Sequence, residues 1–253
     1  MKSNRMKAKF AAGEPAFGLS IMIPSPQLIE MAGGLGFDWV LIDCEHGTIG
    51  LESMELMIMA AESVGVTPIV RPRANSTIEI LQVMDRGAHG VQVPHVNTAD
   101  DARAAVAAVK FHPQGKRSLA LGTRASFYGY GGTVGAFIEH ANRETLVCLQ
   151  IEDEAALANV DEILQVDDVD VFFIGPSDLS QSMGFPGNPK APEVAQAIES
   201  TLSKILAAGK TPGMPAATDA VQGAVRRGVR YIYTHVPSML SAGAKPYFQL
   251  ARG

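Results

Sequence analysis

Short apolar runs recur along the whole sequence, and each is followed by a stretch in which apolar residues return with helical periodicity. Eight such runs occur, at residues 16–22, 37–43, 67–71, 90–94, 145–152, 170–175, 211–216 and 230–236. Runs such as WVLI and VFFI are apolar at consecutive positions, which is typical of strands covered by helices on both faces. This alternation predicts an α/β fold built of βα units around a parallel sheet.

Length and continuity bear on the number of domains. The 253 residues are close to the length of a typical (β/α)8 barrel and permit that fold without proving it. Helix start signals separate the runs, for example Ser25-Pro26 before QLIEMAG. No linker or low-complexity tract interrupts the pattern. We therefore expect one domain, residues 1–253.

Composition and charge narrow the class of partner. Hydrophobic residues make up 47% of the chain and charged residues 19%, a balance that fills a large core. Lys and Arg number 21 against 26 Asp and Glu, and the resulting net charge of -5 does not favour a nucleic-acid partner. Small molecules are the expected partners.

The two cysteines and the absence of long apolar segments bear on location. Cys44 and Cys148 lack the spacing of a zinc site or a disulfide framework. No signal peptide or membrane-spanning segment is recognised. These features predict a soluble cytoplasmic protein with no membrane partner.

The longest interruption of the pattern is residues 111–144, which are rich in Gly, aromatic and basic residues. Long segments of this kind in compact domains are usually functional or mobile. We expect it to follow the fourth strand at the carboxyl end of the barrel, where barrel enzymes keep their active sites.

Polar groups at the ends of the second and third runs are the first candidates for chemistry. Asp43, Glu45 and His46 follow the second run, where a solvated loop with a helix-capping acid is the alternative interpretation. Arg71 ends the third run. An arginine there forms a surface ion pair or, inside a barrel mouth, offers its fork of donors to a carboxylate or an enolate oxygen.

The fifth and sixth runs end in carboxylates. Glu152 follows Gln150, and Asp178 follows Gly175 at a turn from strand into helix. If the ends of these two strands are neighbours, Glu152 and Asp178 lie close together. Their carboxylate oxygens would then form a site suited to a hard cation such as Mg²⁺ or Mn²⁺. The free N–H groups of Ser177 and Asp178 would cradle a carboxylate, although Asp178 as a plain helix cap is the alternative.

Isolated ionisable residues are less informative. Asp85 lies near the end of a helix, where the helix dipole disfavours an acid, so either a tertiary partner such as His46 or a surface position is expected. Single histidines in barrels are usually structural, and His95 is assigned no function. His235 is kept in view because it ends the eighth run.

Five motifs together resemble one family in order and spacing. They are Asp43-x-Glu45-His46, Val70-Arg71-Pro72, Asp85-x-Gly87-Ala88, Gln150-x-Glu152 and IGPSDLS at residues 174–180. The combination is similar to the HpcH/HpaI aldolases, class II pyruvate aldolases of the 2,4-dihydroxyhept-2-ene-1,7-dioate and 2-dehydro-3-deoxy-sugar-acid types. The likeness runs from about residue 16 to 240. It implies a single (β/α)8 (TIM) barrel and a divalent-metal-dependent lyase.

The resemblance also implies roles for individual residues. Glu152 and Asp178 would bind the metal ion, which is Mg²⁺, Mn²⁺ or Co²⁺. Arg71 would steady the pyruvate enolate, while Gln150 supports the metal site. The pyruvate carboxylate would lie against Gly175 and the following amides.

The acid–base group and the assembly are implied in the same way. His46 paired with Asp85 would move protons through a water molecule. The expected partners are a 2-oxo acid and an aldehyde, and the expected assembly is a homotrimer or homohexamer. With sites near subunit boundaries, Asp43 would act across an interface.

The proposed reaction is reversible aldol cleavage of a 4-hydroxy-2-oxo acid to pyruvate and an aldehyde. Stabilising the enolate needs a metal or a lysine Schiff base, and no lysine lies within or at the carboxyl end of a predicted strand. A lyase of the citrate-lyase β-subunit or malyl-CoA type and a non-catalytic oxo-acid-binding barrel are the alternatives. Departures from the family pattern near Ser118, Pro215 and His235 leave the aldehyde undetermined.

Overall fold

Eight parallel strands close into a barrel in the computed structural model, which describes residues 3–252. The strands are β1 (Ala16–Ile21), β2 (Trp39–Asp43), β3 (Thr67–Arg71), β4 (Gly90–Val93), β5 (Leu146–Ile151), β6 (Val171–Ile174), β7 (Thr211–Pro215) and β8 (Tyr231–His235). Every strand lies inside one of the eight apolar runs, and each pairs with its neighbour in sequence order. The prediction of a (β/α)8 barrel is confirmed.

Helices follow the strands and cover the outside of the barrel. They are α1 (Arg5–Ala11), α2 (Pro26–Gly34), α3 (Leu51–Val64), α4 (Thr77–Asp85), α5 (Ala99–Val109), α6 (Val134–Glu144), α7 (Glu154–Ala158), α8 (Val160–Ile163), α9 (Pro176–Ser182), α10 (Pro192–Ala207), α11 (Val221–Arg226) and α12 (Val236–Arg252), with a 3-10 helix at Arg124–Gly129. The start signal at Ser25 works as expected, because its hydroxyl accepts the Leu28 N–H. No described helix has the length and apolar character needed to cross a bilayer.

Aromatic side chains close the lower half of the barrel interior. Trp39 packs on Tyr231 with ring centroids 4.1 Å apart, and Phe173 stacks on Tyr233 at 5.2 Å. Gly18 makes room for this packing, since a Cβ there would lie 2.2 Å from the Trp39 ring. The interior below the mouth is therefore a packed plug rather than a channel.

The segment 111–144 lies at the other end of the barrel from the one predicted. Helix α5 returns the chain to the amino ends of the strands before this segment begins. There Arg117 donates to Asp85, the last residue of α4, at 2.9 Å, and Arg124 pairs with Glu62 near the end of α3. The expectation that this segment lines the mouth of its own barrel is wrong, because a helix of α5's length separates it from β4.

Helix α12 does not pack along its own barrel. All its residues after Val236 are exposed, among them the apolar side chains Leu240 and Leu250. Beside it, an apolar groove of about 200 Å³ opens on the outer wall, with Phe17 and Ile232 among its lining residues. Helix α12, which follows the eighth strand, thus leaves apolar surface uncovered both on itself and on the outer wall of the barrel.

Candidate active site

Arg71 is the centre of a charged cluster at the carboxyl ends of the strands. Its Nε and Nη2 donate to the two carboxylate oxygens of Asp43, at 3.0 and 2.6 Å, and its Nη1 lies 3.1 Å from Glu45. Burial alone lowers the pKa of Arg71, but Asp43 raises it above its ordinary value. The guanidinium is therefore a fixed positive charge inside the mouth, not a surface ion pair.

Asp43 is fully buried beneath this cluster. One of its oxygens also accepts the backbone N–H groups of Glu45 and His46, at 3.1 and 3.2 Å. Both oxygens are thus engaged within the chain. Within the chain Asp43 orients Arg71 and the turn after β2, and a role across a subunit interface stays a prediction.

A hydrogen-bonded chain of side chains crosses the barrel to Glu152. Tyr231 donates to Gln92 at 2.8 Å, Gln92 donates to Gln150 at 2.6 Å, and the amide of Gln150 donates to Glu152. Arg71 also reaches the Gln150 oxygen at 3.4 Å. Gln150 is therefore held by Arg71 and Gln92 and bonds the Glu152 carboxylate, while its support of a metal site stays a prediction.

Glu152 and Asp178 follow the ends of the neighbouring strands β5 and β6. The space for Glu152 exists because residue 175 is glycine, since a Cβ there would lie 2.7 Å from Oε2 of Glu152. Burial raises the pKa of Glu152, and the charge of Asp178 adds to this effect. The two acids are thus close enough to interact electrostatically.

The start of α9 completes the arrangement. The first N–H of this helix to bond within it is that of Leu179, to Gly175. The N–H groups of Ser177 and Asp178 precede that bond and have no partner among the described residues. The predicted position of these two amides beside the carboxylates is thereby consistent with the fold.

The donor set fits a hard divalent cation. Within residues 3–252, no three acidic, histidine or cysteine side chains are grouped closely enough to form a complete metal site. Mg²⁺ commonly uses only one or two carboxylates and takes its other oxygens from water and substrate. Glu152 and Asp178 supply that minimum, and Gly175 keeps Glu152 oxygens clear of steric block.

His95 belongs to the site although the sequence analysis assigned it no function. It follows β4 with a left-handed backbone, φ 52°, which brings its N–H to Glu152 at 2.9 Å. Its ring lies 3.4 Å from Glu45 and 3.0 Å from Asp153. Burial lowers the pKa of His95, but the bond with Asp153 and the nearby acids raise it overall. Its position after β4 was the available signal.

His46 and Asp85 are not brought together within one chain. The His46 ring is about half exposed at the mouth, 3.8 Å from Glu45. Asp85 ends α4 at the opposite end of the barrel, where it pairs with Arg117. The predicted contact is therefore wrong for a single chain, because a helix after a strand carries the chain away from that strand's carboxyl end.

This combination of a buried arginine, two acids and a glycine-made gap agrees with the comparison to known families. The model of the HpcH/HpaI aldolase/citrate lyase family matches residues 17–236. The chain belongs to this family. It is accordingly a carbon–carbon lyase of the aldolase type.

Individual HpcH/HpaI relatives are similar over nearly the whole chain. A hydroxypyruvate/pyruvate aldolase of Sagittula stellata is 36% identical over 95% of this chain and 94% of its own length. A 4-hydroxy-2-oxo-heptane-1,7-dioate aldolase of Salmonella dublin is 40% identical over 86% of this chain and 82% of its own. A solved HpcH/HpaI family structure from Burkholderia cenocepacia J2315 superposes with a TM-score of 0.93 at 28% identity, covering 99% of this chain and 100% of the other.

Proposed function

We propose that the protein catalyses the divalent-metal-dependent, reversible aldol cleavage of a 4-hydroxy-2-oxo acid to pyruvate, or to hydroxypyruvate, and an aldehyde. The relatives named for pyruvate, hydroxypyruvate and 4-hydroxy-2-oxo-heptanedioate support this substrate class. The observation that carries the proposal is Arg71, a buried cation held by Asp43 and linked through Gln150 to Glu152.

The chemistry requires an electron sink. Cleaving the bond between C3 and C4 leaves an enolate, and none of the described lysines lies in or directly after a strand to form a Schiff base. A divalent ion held by Glu152 and Asp178 would act as a Lewis acid towards the keto oxygen. Arg71 supplies a preorganised positive charge for the same oxygen.

Proton transfer falls to His46, which lies at the mouth beside Glu45. It would take the proton of the 4-hydroxyl group through water and return it in the reverse direction. Asp85 joins His46 only if a second copy of the chain presents its barrel's opposite end. The exposed apolar side chains of α12 and the groove beside it offer a surface for such a second copy, and the homotrimer or homohexamer follows from the family resemblance.

Exchange of pyruvate methyl protons in D2O tests the proposal without knowledge of the aldehyde. We expect NMR to show exchange with added Mg²⁺ or Mn²⁺ and its loss with EDTA. Exchange that persists in EDTA would contradict the metal route. No exchange with any metal, together with cleavage of a CoA thioester, would favour the citrate-lyase-type reaction instead.

Replacing Arg71 tests the residue that carries the proposal. Arg71→Ala removes the buried charge, and the exchange rate should fall by about 10²–10³-fold. Arg227→Ala is a matched control, because that arginine lies on the outside and pairs with Glu199. An exchange rate equal to that of the wild type in Arg71→Ala would remove Arg71 from the mechanism.

A further inference from the structure

Two polar side chains in the barrel mouth lack partners. Ser20 on β1 is 1% exposed, and its hydroxyl has no hydrogen-bond partner among the described residues. Nδ1 of His235 on β8 is also buried without one. An unpaired buried polar group destabilises the fold, so two such groups on neighbouring strands call for an explanation.

Both side chains point into the barrel. Ser20 and His235 are register partners across the parallel β1–β8 pair, so their side chains lie on the same face of the sheet. That face is the inner one, because Gly18, two residues before Ser20, faces the Trp39 ring. His235 likewise packs edge-on against Tyr233, 5.3 Å away, which belongs to the interior cluster.

The pair lies within the electrostatic reach of the site. Burial lowers the pKa of His235, and the charge of Arg71 lowers it further, while Asp43 opposes this effect. In the closed barrel, β1 and β8 form the wall across the mouth from β4 and β5. Ser20 and His235 therefore lie on the wall of the mouth that faces Glu152, which follows β5.

The chemistry of the pair selects a neutral group. Ser20 carries no charge, and burial together with the nearby charge of Arg71 disfavours the cationic form of His235 by lowering its pKa, so the pair offers no cation to a second carboxylate. A serine hydroxyl and a neutral imidazole nitrogen each donate or accept one hydrogen bond. A hydroxyl group, which does both, matches them.

We propose that Ser20 and His235 form a subsite for a hydroxyl group of the substrate, and that the enzyme therefore favours hydroxylated over unhydroxylated substrates. The inference rests on the proposed aldolase function. The hydroxyl group belongs either to the nucleophile, as in a 3-hydroxy-2-oxo acid, or to the aldehyde. Both sources make the same contacts.

Two matched substrate pairs distinguish these sources. Hydroxypyruvate is compared with pyruvate as the nucleophile towards one aldehyde, and glycolaldehyde with acetaldehyde as the acceptor for pyruvate. In Ser20→Ala and His235→Phe, kcat/KM for the hydroxylated member of one pair should fall about tenfold, the effect of one lost hydrogen bond. The unhydroxylated member should change less than about threefold. The pair that responds identifies the source.

The controls separate failure of the subsite from failure of the proposed function. Ser203→Ala, an exposed serine on α10, should leave both ratios unchanged. A parallel fall for both members of each pair, or no change in either variant, would overturn the subsite and indicate a structural or water-filled position. If wild-type protein shows no metal-dependent pyruvate exchange, the aldolase proposal itself fails.

Discussion

At the scale of single residues, the site depends on two glycines, whose lack of a side chain leaves room for a neighbour. Gly175 leaves the gap that Glu152 occupies, and Gly18 leaves the gap that Trp39 occupies. The first gap shapes the metal end of the mouth and the second shapes the plug beneath it. Position in the barrel, rather than residue type alone, gives these glycines their importance.

Gly175→Ala should weaken metal binding. The new methyl group would lie within 2.8 Å of two Glu152 atoms, Cβ and Oε2, so the carboxylate must move. We expect Mn²⁺ affinity, measured by titration calorimetry, to fall about 10–100-fold, as when a metal ligand loses its support. Gly34→Ala on α2 meets no atom within 4 Å and should bind Mn²⁺ like the wild type. Equal affinity in both variants would show that Glu152 is not a ligand.

Sequence reasoning recovered the residues that follow strands directly. Arg71 and Glu152 are predicted because apolar runs end at them, and Asp178 because it follows such a run in the turn into a helix, and strand ends meet at one rim. His95 was missed although it follows β4, because a lone histidine carries little information and its left-handed backbone cannot be inferred from HVN. Contacts such as Gln92 with Tyr231 join residues that are 139 positions apart and are invisible to a local pattern.

At the scale of elements, direction was the main source of error. Residues 111–144 are expected at the mouth from their order in the chain, and Asp85 is expected to meet His46, but a helix after each strand carries the chain to the opposite end. At that end Arg124, from residues 111–144, joins Glu62 and His89 in a charged cluster under the barrel. That cluster joins α3, the start of β4 and the 3-10 helix.

This cluster predicts a dependence of stability on pH. Burial would raise the pKa of Glu62, but the hydrogen bond with His89 and the charge of Arg124 hold it below its ordinary value. A carboxylate with a depressed folded-state pKa stabilises the fold above its ordinary pKa and loses that effect as the pH falls through the folded value. At pH 7, Glu62→Gln should lower the free energy of unfolding by about 1–2 kcal/mol.

Urea unfolding at several pH values measures this effect. The gap between wild type and Glu62→Gln should shrink as the pH is lowered through about 4 and below. Glu139→Gln is the control, since that glutamate on α6 is largely exposed and its ion pair with Arg143 is weak, at 4.0 Å. A gap that stays constant down to acid pH would exclude the ionised form of Glu62 as the source.

At the scale of the whole molecule, the barrel leaves the apolar side chains of α12 without a packing surface. Exposed apolar residues on α12 include Met239, Leu240, Tyr247, Phe248 and Leu250. An isolated helix gains little stability from its own hydrogen bonds, so most of it must come from packing. The trimer or hexamer would provide that packing and stays a prediction. The cytoplasmic location is also a prediction.

Charges introduced on α12 test the assembly. The double variant Leu240→Glu and Leu250→Glu should reduce the mass measured by light scattering to that of a smaller species, because it places charges in an apolar contact. Gln249→Glu introduces charge on the same helix at a polar position and should keep the wild-type mass. Identical masses for all three proteins would mean that α12 is not part of an interface.

The aromatic plug formed by Trp39, Tyr231, Phe173 and Tyr233 has a consequence for traffic through the enzyme. Because the plug closes the barrel interior below the site, substrate and products pass through the open mouth. If pyruvate lies deeper than the aldehyde, the aldehyde leaves first in the cleavage direction. Water and the aldehyde both reach the enolate through this mouth and compete for it. An aldehyde that fills the mouth keeps water from protonating the enolate, so that a carbon–carbon bond forms instead of a proton exchange.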